Sequence, residues 1–240
     1  MGIVGRINYD YQSKYLAEVS FRYDGSSKFA KGHRWGFFPS ASVGYRISEE
    51  KFIKELDELS FITNWKLRAS YGVMGDDGSS SYQYLSGYDY PGASYVFGNV
   101  VNKGLGFRGI PNELITWYKS KTLNVGTDLE LWDGLLSAQV DFFWRYRDGL
   151  LAKRSGEIPG TLGAELPEEN MNQDLYKGFE IVLGHRNRIN DFNYSVNLNF
   201  ALTRRLNRRL QEGDAVNSYD RWRNKYSNRY ADMGWTYGSN

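Results

Sequence analysis

The run Gly104-Leu105-Gly106-Phe107-Arg108-Gly109 has the G-x-G-x-x-G spacing that lets a backbone wrap a pyrophosphate. That chemistry needs a strand before the glycines and a helix after them. Here a loop precedes and Ile110-Pro111 follows, so the run reads as a loop glycine cluster. Gly72–Ser79 is glycine-rich but lacks the Gly-Lys-Ser/Thr that would cradle phosphates. His33 and His185 are the only histidines. One falls in a loop and the other near a strand end, without metal-ligand spacing. Asp76-Asp77 and Glu168-Glu169 are carboxylate pairs in long loops. Adjacent residues need not converge on one point, so they read as solvated charge rather than a Ca²⁺ site or a catalytic dyad. Cysteine is absent, which removes disulfides and thiolate metal sites. No Ser/His/Asp set is recognisable, and Asn193-Tyr194-Ser195 is a sequon inside a strand. The expectation is a chain that is not an enzyme, with no catalytic, metal or cofactor residue and no cofactor.

Two groups of residues point to binding instead. Arg204, Arg205, Arg208 and Arg209 form a basic run just past the last strand. They read either as a charged strand terminus or as a contact for lipopolysaccharide phosphates, for which the guanidinium fork is suited. Tyr82, Tyr84, Tyr88, Tyr90, Tyr95, Phe97 and Phe107 gather in one long loop. They can fold the loop on itself, stack on sugar rings, or pack on a partner protein. No individual substrate-binding residue stands out. A net charge of +2 gives no reason to expect a nucleic-acid partner.

The elements that position these residues are strands. Tyr, Gly and aromatic residues are abundant and Pro is scarce, at 5 of 240 residues. Eight segments alternate apolar and polar residues with period two. Their apolar faces run Ile3–Tyr11, Tyr15–Tyr23, Trp35–Tyr45, Trp65–Val73, Leu123–Leu131, Leu136–Tyr146, Phe179–Leu183 and Tyr194–Leu202. The opposite faces carry Arg6, Asn8, Glu18, Ser20, Ser42, Gly44, Arg68, Asn124, Asp128, Asp141, Glu180, Asn197 and their like. Short turns fall at Gln12–Lys14, Trp132–Gly134 and Ile189–Phe192. Long loops fall at Gly25–Arg34, Met74–Trp117 and Gly149–Tyr176. The connection Ser48–Thr63 reads as a short amphipathic helix with Ser48 as its N-cap. Grouped with the short turns, it gives a sheet with tight connections at one end and long ones at the other. A transmembrane β-barrel has that asymmetry.

A mean hydropathy of −0.59 does not exclude a membrane, because a spanning strand alternates lipid-facing and lumen-facing residues. Strands of about ten residues are long beside the average soluble strand of about 5–6. Tyr and Trp recur at strand ends, where interfacial girdles sit. Two other readings stay open: a complete eight-stranded outer-membrane barrel with a structural or adhesive role, and a soluble carbohydrate-binding β-sandwich.

Several stretches together resemble one family. They are GRINYDYQSKYLAEVSFRYDGSSKFAKGHRWGFFPSASVGYRISEEKF (Gly5–Phe52), NWKLRASYGVMGDDG (Asn64–Gly78), YQYLSGY (Tyr82–Tyr88), GIPNELITWYKSKTLNVGTDLELWDGLL (Gly109–Leu136), DFFWRYRDGLLAKR (Asp141–Arg154) and KGFEIVLGHRNRINDFNYSVNLNFA (Lys177–Ala201). From Gly5 to Ala201 they resemble, in order, SusC/RagA-type TonB-linked outer-membrane proteins. The resemblance implies an all-β, antiparallel transmembrane barrel of 22 strands, of which residues 1–240 would hold about eight. It implies import of oligosaccharides or peptides across a Gram-negative outer membrane. The implied partners are a SusD-like lipoprotein at the mouth, TonB reached through an N-terminal plug, and outer-membrane lipid. Plug and signal peptide are not recognisable here, and the end, WTYGSN (Trp235–Asn240), lacks a terminal aromatic. The chain is therefore expected to be a barrel fragment that does not transport alone.

Overall fold

The computed structural model describes residues 1–154, 166–212, 217–223 and 225–230. The expectation about Trp235–Asn240 lies outside them. The eight expected strands are all present: β1 (Gly2–Tyr11), β2 (Tyr15–Gly25), β3 (Trp35–Arg46), β4 (Ile62–Asp76), β7 (Tyr118–Leu131), β8 (Leu136–Lys153), β9 (Glu168–Ile189) and β10 (Phe192–Arg209). A hairpin, β5 (Tyr88–Phe97) and β6 (Val100–Phe107), stands between β4 and β7. A short helix, α1 (Lys51–Lys54), precedes β4, and α2 (Ser218–Arg223) and β11 (Arg229–Tyr230) follow β10. The large sheet is antiparallel, in the order β1-β2-β3-β4-β7-β8-β9-β10-β11. Among the described residues β1 pairs only with β2 and β11 only with β10, so the sheet is open, as in part of a larger barrel. Neither a closed eight-stranded ring nor a second packed layer is found there.

Register sorts the side chains. One cross-strand row reads Tyr9, Ala17, Val43, Ala69, Val125, Phe142, Phe179, Leu202. Its neighbour on the other face reads Asp10, Leu16, Gly44, Arg68, Gly126, Asp141, Glu180, Ala201. A one-residue slip would exchange these faces, so the pattern fixes the pairing. The apolar face is bare: Val19, Val43, Val125 and Phe200 are 56, 58, 43 and 57 % exposed. Rings line both ends of it. Tyr15 stacks on Tyr45 at 5.3 Å near the short turns, and Tyr23 on Trp35 at 4.9 Å near the long loops.

The short turns need left-handed backbone. Gln12 and Ser13 have φ of 55° and 54°, Trp132 and Asp133 of 50° and 53°, and Asn190 of 52°. Those turns match the right-handed twist of the flanking strands.

Three expectations need correction. Ser48 is no N-cap: it is buried inside a 3-10 turn, Ile47–Glu49, and α1 is only four residues long. Glu50 holds the N-cap place without capping, because its carboxylate takes the Lys14 ammonium and the Tyr45 hydroxyl, both at 2.7 Å. The loop Gly149–Tyr176 is partly strand, since β8 and β9 continue past the alternating rows, with Leu150, Leu151 and Ala152 opposite Asn172, Asn170 and Glu169 and polar pairs on either side. Gln173 donates to Asp148 at 2.7 Å, and Arg154 pairs with Glu169 at 2.9 Å. A bulge at Gly149 (φ 76°) accommodates the change of register. The glycines of G-x-G-x-x-G lie on β6 and the turn after it. Gly104 sits beneath the Tyr95 ring, and Gly106 passes so close to Gly92 that a Cβ would meet backbone. They serve strand approach, not phosphate.

The Lys14 ammonium and then the Tyr45 hydroxyl hold the Glu50 carboxyl below the usual carboxylate range, and the hydrogen bond to Glu50 raises Lys14. A depressed acid stabilises fully above its unfolded pKa and loses that effect as pH falls through the folded value. A raised lysine stabilises below its unfolded pKa and loses that effect as pH rises through the folded value. In urea titrations Glu50→Gln should therefore lower the unfolding midpoint between about pH 5 and pH 10, and should converge with wild type at both extremes. A constant offset at every pH would show that the pair contributes no titratable stability.

Candidate functional site: the polar face and its cap

The polar face of the sheet bounds a concave hollow of about 1330 Å³ whose lining includes Ser20, Arg22, Ser40, Thr122, Arg145 and Trp117. Polar side chains line it because every second residue of long strands must point there. The surface is built from cross-strand bonds. The hydroxyls of Ser20 and Ser40 meet at 2.6 Å. Arg68 on β4 holds Asp128 of β7 at 3.0 Å and reaches over β7 to Asp141 of β8 at 2.6 Å. Gly126 lies between the two strands on that row, and a Cβ there would stand 2.5 Å from Asp141 Oδ1. The glycine is therefore what lets this ion pair span three strands.

A second set of charges sits nearer the long loops. Asp174 on β9 has a fully buried side chain held by Arg147 of β8 at 2.5 Å and Arg205 of β10 at 3.1 Å. Arg147 also donates to the Tyr176 hydroxyl at 3.0 Å and lies over its ring at 4.8 Å. Ser120 Oγ, Thr122 Oγ1 and Asn124 Oδ1 of β7 are buried without a protein partner. Such groups call for water or another polar surface. The face can therefore border a wet interior or a polar domain.

A cap closes over one end. Phe29 is fully buried, Ile115 nearly so, and Trp117 meets the edges of Phe29 and Phe38 at 5.5 and 5.3 Å. The Phe38 ring has room because Gly36 and Gly75 carry no Cβ where it lies. Hydrogen bonds tie three long connections together. Trp117 Nε1 donates to Arg34 O at 3.0 Å, and Ser26 Oγ to Asp77 at 2.7 Å. Asn112 Nδ2 donates to Glu168 O at 2.7 Å. Asn170 accepts from Thr116 N and donates to Thr116 O and Gly149 O.

The residues singled out in the sequence now have places. Asp77 binds Ser26 and Lys28, and Asp76 accepts from the Tyr118 hydroxyl, so that pair latches loops. Glu168 bonds Gln83 and Glu169 bonds Arg154; the second pair is split as well. His33 contributes its carbonyl to the cap through Thr116, whereas His185 bonds Tyr194 at the opposite end of the sheet. No group of metal-ligating side chains is found among the described residues. The arginine run lies on β10 rather than past it, and alternation sends Arg205 inward to Asp174 and Arg204 outward. The loop aromatics divide: Tyr84 is half-buried, meets Tyr82 edge-on and accepts from Arg34, while Tyr82 and the hairpin rings of Tyr88, Tyr90, Tyr95, Phe97 and Phe107 stay exposed.

Residues 2–240 match the family model described as TonB dependent receptor-like, beta-barrel. The chain belongs to that family. Curated relatives include TonB-dependent receptor P3 of Formosa agariphila, 33 % identical over 89 % of this chain and 21 % of the relative. TonB-dependent receptor SusC of Bacteroides thetaiotaomicron is 29 % identical over 90 % of this chain and 21 % of its own length. Among solved structures, the RagAB peptide importer in its closed-closed state superposes with a TM-score of 0.74 at 23 % identity, over 89 % of this chain and 22 % of that one. The chain thus spans about a fifth of the relatives it matches. In family and fold it is TonB-dependent receptor barrel, similar to SusC, and TonB-dependent receptors are outer-membrane barrels. The signals that sequence reasoning missed are pairwise and distant: Arg68 with Asp141, Asp174 with Arg147 and Arg205, and Asn170 with Thr116.

Asp174→Ala should leave two arginines facing each other and cost about 3–5 kcal/mol, read as a lower urea midpoint of the intact barrel. An unchanged midpoint would show that the charges are solvated. Asn170→Ala should speed protease cleavage within residues 108–117. Equal cleavage rates would mean that the cap does not depend on this side chain.

Proposed function

We infer that these strands form one wall of a TonB-dependent importer in a Gram-negative outer membrane, with all of residues 1–240 belonging to its barrel. Further strands would close the ring, and a plug elsewhere in the importer would fill it and reach TonB. The cargo would be an oligosaccharide or a peptide too large for a porin, handed over by a SusD-like lipoprotein at the long-loop end. The exposed hairpin β5–β6 and the loop cap stand at that end and would meet the lipoprotein or the cargo. Relatives named receptor and importer support this reading, and no catalytic role is proposed. Likeness to RagAB, a peptide importer, speaks for peptides, and oligosaccharides stay open beside them.

The observation that carries the reading is the bare apolar face backing a hydrogen-bonded polar one. In the intact barrel Val19→Arg should cost roughly 2–4 kcal/mol if it lies near the bilayer midplane, and arginine at the adjoining Glu18 should cost much less. Refolding titrations in lipid vesicles measure both. Equal costs would remove the lipid-facing assignment. On the substrate, a neighbouring SusD-like gene accompanied by glycan hydrolases should favour sugars, and the same gene without them would count for peptides.

A further inference from the structure

On β1–β3 the long-loop end of the apolar face carries rings: Ile3, Tyr23 and Phe37 share a row, and Trp35 stacks on Tyr23. On β7–β10 the same end carries cations. The row Tyr71, Leu123, Trp144 continues into Lys177 and Arg204, which stand directly opposite each other. In the next row toward the loops, Lys121 stands beside Tyr146. Like charges placed opposite one another on a sheet repel. Both are drawn toward the loops instead, where the Tyr230 ring lies 4.4 Å from the Arg204 guanidinium and 5.4 Å from Lys177 Nζ. Tyr230 pairs with Leu206, two residues beyond Arg204 in that direction. This is the posture of cations rising from hydrocarbon to a headgroup layer. Neither Lys121 nor Lys177 has an ion pair among the described residues. The outward carboxylate nearby, Asp148, stands opposite Lys119 and accepts from Gln173.

Resting on the membrane reading above, we propose that Lys121 and Lys177, with Arg204 beside them, bind the phosphates of a lipopolysaccharide on the outside of the barrel. β7 and β9 are two strands apart, so the lysines lie roughly 10 Å apart sideways. Trp144 and Tyr146 of β8 fill the gap between them and are open to the outside at Trp144, 42 % exposed. Two cations at that spacing fit two phosphates on one headgroup better than a single phosphodiester. Arg205, which the sequence placed in the same run, is excluded because it serves Asp174.

The test uses the intact barrel in detergent with purified lipopolysaccharide, the same lipid dephosphorylated, and the variant Lys121→Gln/Lys177→Gln. Lys103→Gln on β6 is the control. The double variant should bind lipopolysaccharide about 25-fold more weakly, as two interfacial cations each contribute about a factor of five. The dephosphorylated lipid should bind wild type and variant alike, and the control should match wild type. Equal binding of lipopolysaccharide by wild type and double variant overturns the proposal. So does an equal loss with the dephosphorylated lipid. Quenching of Trp144 by brominated lipid in vesicles separates the two readings. Quenching with unchanged lipopolysaccharide binding sinks only this proposal, and no quenching sinks the membrane assignment with it.

Discussion

An amide in hydrocarbon has no water to bond, so a backbone that crosses lipid must bond itself. The strands and their alternation follow from that constraint. Eight long strands give one another their donors and acceptors in an antiparallel ladder whose strands are all joined to their neighbours, with bulges only near strand ends. Once the ladder is set, alternation is forced, and each strand shows one set of side chains to each side. The bare face can then be apolar without penalty, and the other can be charged. Among the described residues β1 and β11 are edges, and the same requirement applies to them, since a ladder in lipid has to continue until it closes.

The polar face works under a different constraint. Its charges are too close to one another and too sheltered to remain unpaired. They are resolved across strands rather than along them, through Arg68 bridging to Asp141 over Gly126 and Asp174 gripped from both sides. These bonds staple neighbouring strands on the side where apolar packing is absent. The cap adds a dry cluster, Phe29 with Ile115 and Trp117, at the end where the connections are long. Loops that would otherwise sample many conformations are thereby tied to the wall, which gives the mouth a defined shape.

The alternating segments were legible because burial on one side has a period of two that survives in the sequence. Ile7, Val19 and Ala41 fall in register as that period requires. The tight turns were legible through Asp133-Gly134 and Asn190-Asp191. The ends of β8 and β9 were not, because register shifts at Gly149 break the alternation and Leu150, Leu151 and Ala152 stand opposite Asn172, Asn170 and Glu169, which leaves no period-two signal. The short helix expected between Ser48 and Thr63 is present, but its N-cap is not Ser48: Ser48 is buried in a 3-10 turn, and Glu50, at the cap position, bonds Lys14 and Tyr45 instead. The arginine run looked uniform as a string. Only strand parity shows that Arg204 and Arg205 face different solvents.

The central claim is that one face of each strand meets hydrocarbon and the other meets water. Spin labels placed one at a time along β10, from Tyr194 to Thr203, in the vesicle-embedded barrel would measure this most directly. Collision with dissolved oxygen should be high at Val196, Leu198, Phe200 and Leu202. Collision with a water-soluble nickel chelate should dominate at Ser195, Asn197 and Asn199. A profile without that alternation, or nickel access at Leu198 and Phe200 equal to that at their neighbours, would contradict the account.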